Sequence, residues 1–560
     1  MSVTNEAIFQ FISSVFLSLV AVVLAVIVLV FCIYQVVYYQ HPDDPDQSWA
    51  SKLVVVSSLW LVFYTPIFSA VDFAAVKTGC PAAATLGEDV QNFISGQCMA
   101  PTKTILYILI FTNLIFTYFI IPFLQNLRKD SLSKPFSQRF LWALLHASLV
   151  SGTILSIVAA LWYFIGEVDV PINMYASGKV PLSPGAYDQR ECIESTTGTT
   201  VSSTGERIRN ADSPTCKAMD FSTVFVEFFS GPTSTSSSVS APSDFVPYIL
   251  STHAVIGWFV LSIYGGVGLA AFPWRHISAF INRPRRPLTK SEHIRAVRSI
   301  SERANDIKEK CMHAREEEDK NSSRQTRILI NKLTREMVLL EQEERQLQSL
   351  YPEGDDKDTK WTFTVIGQWV QLVYGLVGLT VSVLWILQTY LYSILDPPVA
   401  LFLNRVFFLR DEFYLAVLAL LLLVFFCFHL TVCCIQGVFS VSMFFPFLPI
   451  YPLSLGTTMI DAFLYNCLVM LYSAPAILAF LVVTLSLPSR QSSIALLFGF
   501  HFRYLKVIGF LLESYFFLYL MMVSFGLTVV IGAIKYLVAF IQAKQEKKKA
   551  AENQAAVASY

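Results

Sequence analysis

The chain has 560 residues, of which 54% are hydrophobic and 15% charged, with a mean hydropathy of +0.53. A soluble globular chain carries more charge and fewer apolar residues, so that class is excluded. The formal net charge is zero, but the charged residues crowd into a few segments and leave the rest bare.

Apolar stretches of about twenty residues, long enough to cross a hydrocarbon core of roughly 30 Å, recur along the sequence. They predict an all-α fold: a polytopic transmembrane helical bundle of nine spans. The first span, Ile8–Tyr34, has no basic flank before it, too long an apolar run for a secretory leader, and no small-residue cleavage site. It is expected to be a retained anchor with its N-terminus on the non-cytoplasmic side. Tyr34 to Val37 has the form of a tyrosine sorting signal at the membrane edge. The second span, Leu53–Val76, holds Pro66 and Asp72. A proline-relaxed helix beside a carboxylate is one way to line a polar cavity.

Cys80 and Cys98 follow the second span. The third span, Thr104–Leu124, ends on Arg128, Lys129, Lys134 and Arg139, and Phe140–Gly166 is the fourth. The loop from Gly166 to Asp244 is rich in Ser, Thr, Pro and Gly and holds Cys192 and Cys216. Such composition buries little apolar surface, so a flexible spacer pinned by a disulfide is expected, with a ligand-capturing ectodomain as the sharper reading. Four thiols permit three pairings; 80–98 and 192–216 are the simplest.

The fifth span, Val246–Phe272, runs into "YGGVGLAAFPWRHISAFINRPRRPL". Ser262, Gly266 and Ala270 recur every four residues, a small face that lets helix backbones approach closely. Pro273 is expected to stop the helix, and the basic run beyond it to sit among headgroups. The glycines lie inside a span, without the strand–turn–helix setting of a phosphate loop.

Between the fifth and sixth spans lies an insert, Trp274 to Lys360. Val297, Ile300, Ala304, Ile307, Cys311 and Ala314 follow alternating three- and four-residue steps; so do Ile330, Leu333, Met337, Leu340, Leu347 and Tyr351, broken at Glu344. Two such series around a polar turn predict a cytoplasmic antiparallel coiled-coil hairpin; docking on membrane helices or on a second copy is the alternative. Arg275, Arg283, Arg285, Arg286, Lys290, Arg295, Arg298 and Arg303 face only Glu292 and Glu302 over the same interval. At about 1 kcal/mol per basic residue, that arm could be held against an anionic lipid bilayer, or the arginines could simply enforce orientation. The patch lacks interleaved aromatics, so no nucleic-acid partner is indicated.

The remaining spans are Gln371–Tyr392, Phe413–Ile435, Ile460–Leu485 and Phe510–Tyr536, followed by a basic tail from Lys544 to Lys549. Basic clusters mark cytoplasmic loops. With nine spans all three clusters fall on one side, and the four loop cysteines fall on the other, where an oxidising compartment permits disulfides. The resulting domain plan is 1–272 as five spans with two cysteine-bearing non-cytoplasmic loops, 273–360 as the insert, 361–536 as four spans, and 537–560 as a cytoplasmic tail.

Ionisable residues inside spans are functional candidates: Asp72, His146, His253, His429, Asp461 and Glu513. Most sit near span ends, and only His429 is expected well inside. Pro475 in "YSAPAILAF" is expected to kink the eighth span. Motifs for hydrolysis, metal binding or phosphate binding are absent from the sequence. No catalytic residue, cofactor or metal is therefore expected, and the span cysteines read as packing residues.

The junction "YGGVGLAAFPW" with "FINRPRRP", and the stretch from Gly437 to Phe480, "GVFSVSMFFPFLPIYPLSLGTTMIDAFLYNCLVMLYSAPAILAF", together resemble the limb-region (LMBR-type) multi-pass membrane protein family. "IIPF", Ile120 to Phe123, fits the end of its third span. That family includes the lipocalin-interacting membrane receptor and the lysosomal cobalamin transport escort protein. The resemblance implies a non-enzymatic receptor or escort/adaptor of a plasma, endosomal or lysosomal membrane. It would act in endocytic trafficking or signalling, with a ligand at the outer loops and a protein partner at the coiled coil. The alternative is a transporter carrying a small molecule or lipid-like cargo through the bundle.

Overall fold

The computed structural model describes residues 2–40, 49–77, 102–129, 135–174, 200–201, 207–208, 235–283, 286–320, 329, 333, 336–337, 340, 343–344, 347, 351, 357–395, 397–407, 413–441, 451, 453, 458–490 and 492–558. Among these, nine helices are long and apolar enough to cross a membrane: Val15–Tyr39, Trp49–Ala75, Thr102–Arg128, Phe136–Ile165, Phe245–Ile281, Trp361–Ile394, Leu415–Val441, Ile460–Thr484 and Phe516–Val538. Each falls on a span expected from hydropathy. The chain is an all-α, integral multi-pass membrane protein.

The residues form two compact units. The larger holds 1–163, 245–503 and 507–560, and the eighth span is its axis. Of that span's apolar window 83% is buried inside the protein, against 11% for the fourth span and 17% for the ninth. It lies against the second, third and fifth spans, so its apolar side chains meet protein rather than lipid. The fifth span contacts the sixth, seventh and ninth as well. Lipid tails are as apolar as these side chains, so close backbone approach, not the hydrophobic effect, must hold such helices together. The fifth span supplies that approach. A Cβ on Gly268 would collide with the Cys433 carbonyl of the seventh span, and one on Gly266 with Ser524 and Met521 of the ninth.

Pro273 does not stop the fifth helix. The last helical segment runs Gly266–Ile281, with Pro273 buried inside it. Membrane helices tolerate proline because neighbouring groups and local adjustments of the turn absorb the lost hydrogen bond. A π-helical turn, Leu261–Gly265, lies earlier in the same span. Similar turns occur at Phe116–Ile120, Thr389–Ile394 and Ala495–His501. The ninth span begins later than its hydropathy suggests. A short helix, Ile508–Glu513, precedes it, and Tyr515 turns the chain with φ of 53° before the long helix Phe516–Ala558.

The smaller unit comprises 164–244 with 504–506. Its strand β1, Glu167–Met174, pairs antiparallel with β4, Thr235–Pro242, and the short strands β2, Thr200–Val201, and β3, Arg207–Ile208, pair with each other. The loop is thus not spacer throughout: its two ends form a β stem. Residues 504–506 extend the stem. The Asp169 N–H donates to the Tyr504 carbonyl at 2.9 Å, and the Lys506 ammonium lies 2.5 Å from Glu167 Oε2. That carboxylate raises the Lys506 pKa above its ordinary value. Cys80, Cys98, Cys192 and Cys216, and with them both expected disulfides, lie outside the described residues.

Candidate functional site

Several buried polar side chains of the bundle hold broken backbone. Asp72 is 1% exposed and accepts a hydrogen bond from the Ile494 N–H at 3.0 Å. The Ser493 and Thr102 hydroxyls also reach the carboxylate. It therefore caps the start of the π-helical turn Ala495–His501. Gln388 and Asn404 act alike. Both amides donate to the Thr484 carbonyl, at 2.7 and 3.0 Å, where the eighth span ends. Their oxygens accept from the Leu403 and Leu487 N–H groups.

Two histidines lie deep in the bundle, not one. His429 Nε2 is 3.1 Å from Ser382 Oγ and 3.3 Å from Cys433 Sγ, with Phe272 edge-on to the ring. His253 is 1% exposed; its Nε2 lies 3.1 Å from Asn113 Oδ1 and its Nδ1 3.0 Å from the Tyr118 hydroxyl. The Asn113 amide donates onward to the Leu471 carbonyl at 3.1 Å. This network ties the third, fifth and eighth spans together. His253 lies near the start of the span Phe245–Ile281, as hydropathy has it, and what buries it is the packing of Asn113, Tyr118 and Tyr472 around its ring. His146 is 2.9 Å from Asn126 Nδ2 on the exposed side.

The other acidic candidates are at the surface. Asp461 is half-exposed and forms an ion pair with Arg128, which also donates to Ser51 Oγ at 3.0 Å. That arrangement links the ends of the third, eighth and second spans. Glu513 is exposed at the end of its short helix. On the fifth span, Ser262 and Gly266 are buried and Ala270 is half-buried. The Ser262 carbonyl accepts from Ser524 Oγ at 2.7 Å.

The basic residues of the junction take separate partners. Arg283 donates to the Phe280 carbonyl and lies over the Phe280 ring, 3.6 Å from its centroid. Arg286 pairs with Glu292 at 2.9 Å, and Arg285 lies outside the described residues. Glu292 also accepts from the Thr289 N–H at 3.0 Å, while Thr289 Oγ1 accepts from the Glu292 N–H at 3.4 Å. This reciprocal capping box starts the insert helix Lys290–Lys320 and holds the Glu292 carboxyl below its usual pKa. Further along, Ile307 and Ala314 bury against Leu333 and Leu340, with Ile300, Ala304 and Cys311 around them. Arg303 pairs with Glu343 at 2.7 Å, and His293 stacks on Tyr351 with ring centroids 4.2 Å apart. Ile300, Ala304, Ile307, Cys311 and Ala314 of the first apolar series thus meet Leu333 and Leu340 of the second, while Val297 and Met337 stay exposed.

Arg275 has a different setting. Its Nη1 donates to Gln436 Oε1 of the seventh span at 2.9 Å. It lines a cavity of about 360 Å³ among the first, second, seventh and eighth spans. Gln35, Tyr39 and Asn466 add polar atoms to walls that are otherwise mostly apolar, among them Phe63, Val432 and Met470. Asn466 is already engaged, clamping the backbone N–H and carbonyl of Tyr451 at 3.0 and 2.8 Å. Among the described residues no group of three or more His, Cys, Asp or Glu could hold a metal ion.

Comparison with known proteins adds relatives of similar length. The family model described as LMBR1-like membrane protein matches residues 17–338. A LIMR family protein of Oryza sativa subsp. japonica is 27% identical over 506 residues, covering 89% of this chain and 92% of that one. A LIMR family protein of Arabidopsis thaliana is 28% identical over 501 residues, covering 88% and 91%. A shorter match, 31% identical over 180 residues, is to a CASP-like protein of Selaginella moellendorffii; it spans 31% of this chain and 95% of that one. No solved structure matches.

Proposed function

The chain belongs to the family of LMBR1-like membrane proteins, and we propose that it is a non-enzymatic receptor or escort protein. It would work at a plasma, endosomal or lysosomal membrane in endocytic trafficking or signalling, with the insert beyond Ile281, residues 282–360, in the cytoplasm recruiting a protein partner. The observation that supports this reading is the insert itself. Its first helix buries an apolar seam against the second series and leaves a charged face outside, with Arg298 and Glu302 strongly exposed. The helical pair lies outside the spanning helices, and an exposed charged helix face is a surface for electrostatic recognition. The buried side chains of Asp72, Gln388, Asn404 and His253, by contrast, cap and cross-link helices.

The test uses the full chain in cells. Proteins labelled by proximity to the insert are compared between wild type, the exposed-face variant Arg295→Glu/Arg298→Glu, and a chain lacking 297–351. Loss of one defined set of partners in both variants, with membrane insertion unchanged, supports the reading; an identical set in all three defeats it. The sidedness is tested separately, since an impermeant reagent that reaches the insert from outside intact cells would reverse the topology.

A second reading, carriage of lipid-like cargo, is favoured by the cavity beside Arg275. Movement of a candidate cargo by the purified chain in liposomes would replace the receptor reading with it.

A further inference from the structure

We propose that the cavity beside Arg275 is a binding site for a single-chain amphiphile with an anionic head, a carboxylate or a phosphate on one aliphatic chain. The proposal does not depend on what the insert recruits.

The walls are graded along the helices. On the first span, Phe31 and Cys32 lie about two turns from Tyr39. On the seventh, Val432 lies about one turn from Gln436. Gln436 holds Arg275, and Tyr39 is within electrostatic reach of the same guanidinium. The cation therefore sits at the Tyr39 end. Toward the other end the lining is aromatic: Phe31 and Phe63 lie 5.3 Å apart, and Phe428 packs behind both at 5.5 Å, centroid to centroid. A molecule with a polar head and an aliphatic body fits this gradient in one direction only.

Charge sets the sign of the head. Among the described residues the lining contains one full cation and no carboxylate. A guanidinium carries five N–H donors in a planar fork that matches carboxylate and phosphate oxygens, and Gln436 takes one of them. Gln436 is itself steadied, its Nε2 lying 3.4 Å from Ser440 Oγ. The guanidinium is thus aimed by a neutral partner, and among the described residues no carboxylate lines the cavity beside it. Arg275 is exposed two residues past Pro273, near the basic end of the fifth span, so an anionic head can reach its open face. Volume sets the number of chains. About 360 Å³ is near the lower end of ligand-binding cavities, which suits one chain rather than two.

The experiment reads bound ligand by native mass spectrometry on the full-length protein in neutral detergent. The probes are oleate, lysophosphatidate, oleyl alcohol and dioleoyl phosphatidylglycerol. Retention of oleate or lysophosphatidate, at one per protein, is expected, and which of the two is retained identifies the head. Arg275→Gln is expected to weaken retention about tenfold or more, the worth of a charge-assisted hydrogen bond. Val432→Phe, which fills the cavity from the apolar side, is expected to weaken it without touching the cation, so the proposal stays testable if the first variant folds poorly. Arg283→Gln, whose guanidinium is stacked on Phe280, is expected to leave it unchanged. Equal retention of oleyl alcohol, or binding indifferent to both Arg275→Gln and Val432→Phe, overturns the proposal. Retention of phosphatidylglycerol at several copies per protein, with no preference for one chain, overturns it as well.

Discussion

Asp72 of the second span accepts a hydrogen bond from the backbone N–H of Ile494, 3.0 Å away and 422 positions further along the chain. The carboxylate, 1% exposed, thereby satisfies the start of a helical turn inside the bundle. Asp72→Ala leaves that N–H unpaired, and a loss of about 1–3 kcal/mol is expected. Asp72→Asn keeps an acceptor oxygen and should lose less. Thermal unfolding of the detergent-solubilised chain, followed through exposure of the buried thiols Cys427, Cys433 and Cys467, ranks the three proteins. A destabilised Ala variant that still retains ligand separates the capping role from any cavity role; an Ala variant as stable as wild type contradicts the cap.

Close helix approach at the fifth span yields a second prediction. A methyl on Gly268 would meet the Cys433 carbonyl, and one on Gly437 the Tyr264 carbonyl. Neither obstacle is a flexible side chain, so Gly268→Ala and Gly437→Ala should each cost about 1–3 kcal/mol through overpacking. Gly526 of the ninth span has nothing within 4 Å of the added carbon. There alanine should be neutral or gain up to about 1 kcal/mol from helix propensity. Equal melting temperatures for Gly268→Ala and Gly526→Ala would remove the notch from the account of bundle assembly.

Hydropathy located all nine spans because bilayer thickness acts on every one of them independently of its neighbours. Features that depend on a neighbour stayed hidden. Pro273 looked like a stop because the cost of an interior proline is local, whereas its tolerance comes from surrounding spans. The β stem has no local signature, since Thr235 opens a serine-rich strand whose order comes from pairing with Glu167–Met174. The Arg275 cavity left only half a signal. The arginine was visible, but Gln436, which aims it, lies 161 positions away. The capping box was legible as Thr289 followed three residues later by Glu292, and a count of net charge passed over it.

The His253 network offers a prediction that distinguishes a matched pair from two separate contributions. Asn113→Leu strands the ring nitrogen it faces and should cost about 1–3 kcal/mol. His253→Phe strands the Asn113 oxygen and should cost a similar amount. Removing both polar groups together strands less, so the double variant is expected to be more stable than additivity predicts, by about 1 kcal/mol. Strict additivity across the cycle would mean that the 3.1 Å contact contributes nothing of its own.

The insert carries a pH dependence whose sign follows from its first turn. The Thr289 backbone N–H and hydroxyl, with Arg286 and Arg295 nearby, hold the Glu292 carboxyl below the usual glutamate pKa. A group depressed in the folded state stabilises it fully above the unfolded pKa, and that contribution disappears as pH falls through the folded value. The start of the helix Lys290–Lys320 should therefore fray in acid and stay closed at neutral pH. Amide hydrogen exchange at residues 290–294, corrected for the intrinsic rate at each pH, is expected to lose protection below the ordinary glutamate range. Glu292→Gln removes the titrating group but keeps an acceptor for the Thr289 N–H, so its protection should be lower at neutral pH and flat with acidification. If the variant shows the same acid-induced loss as wild type, another carboxylate governs the fraying and the capping box does not.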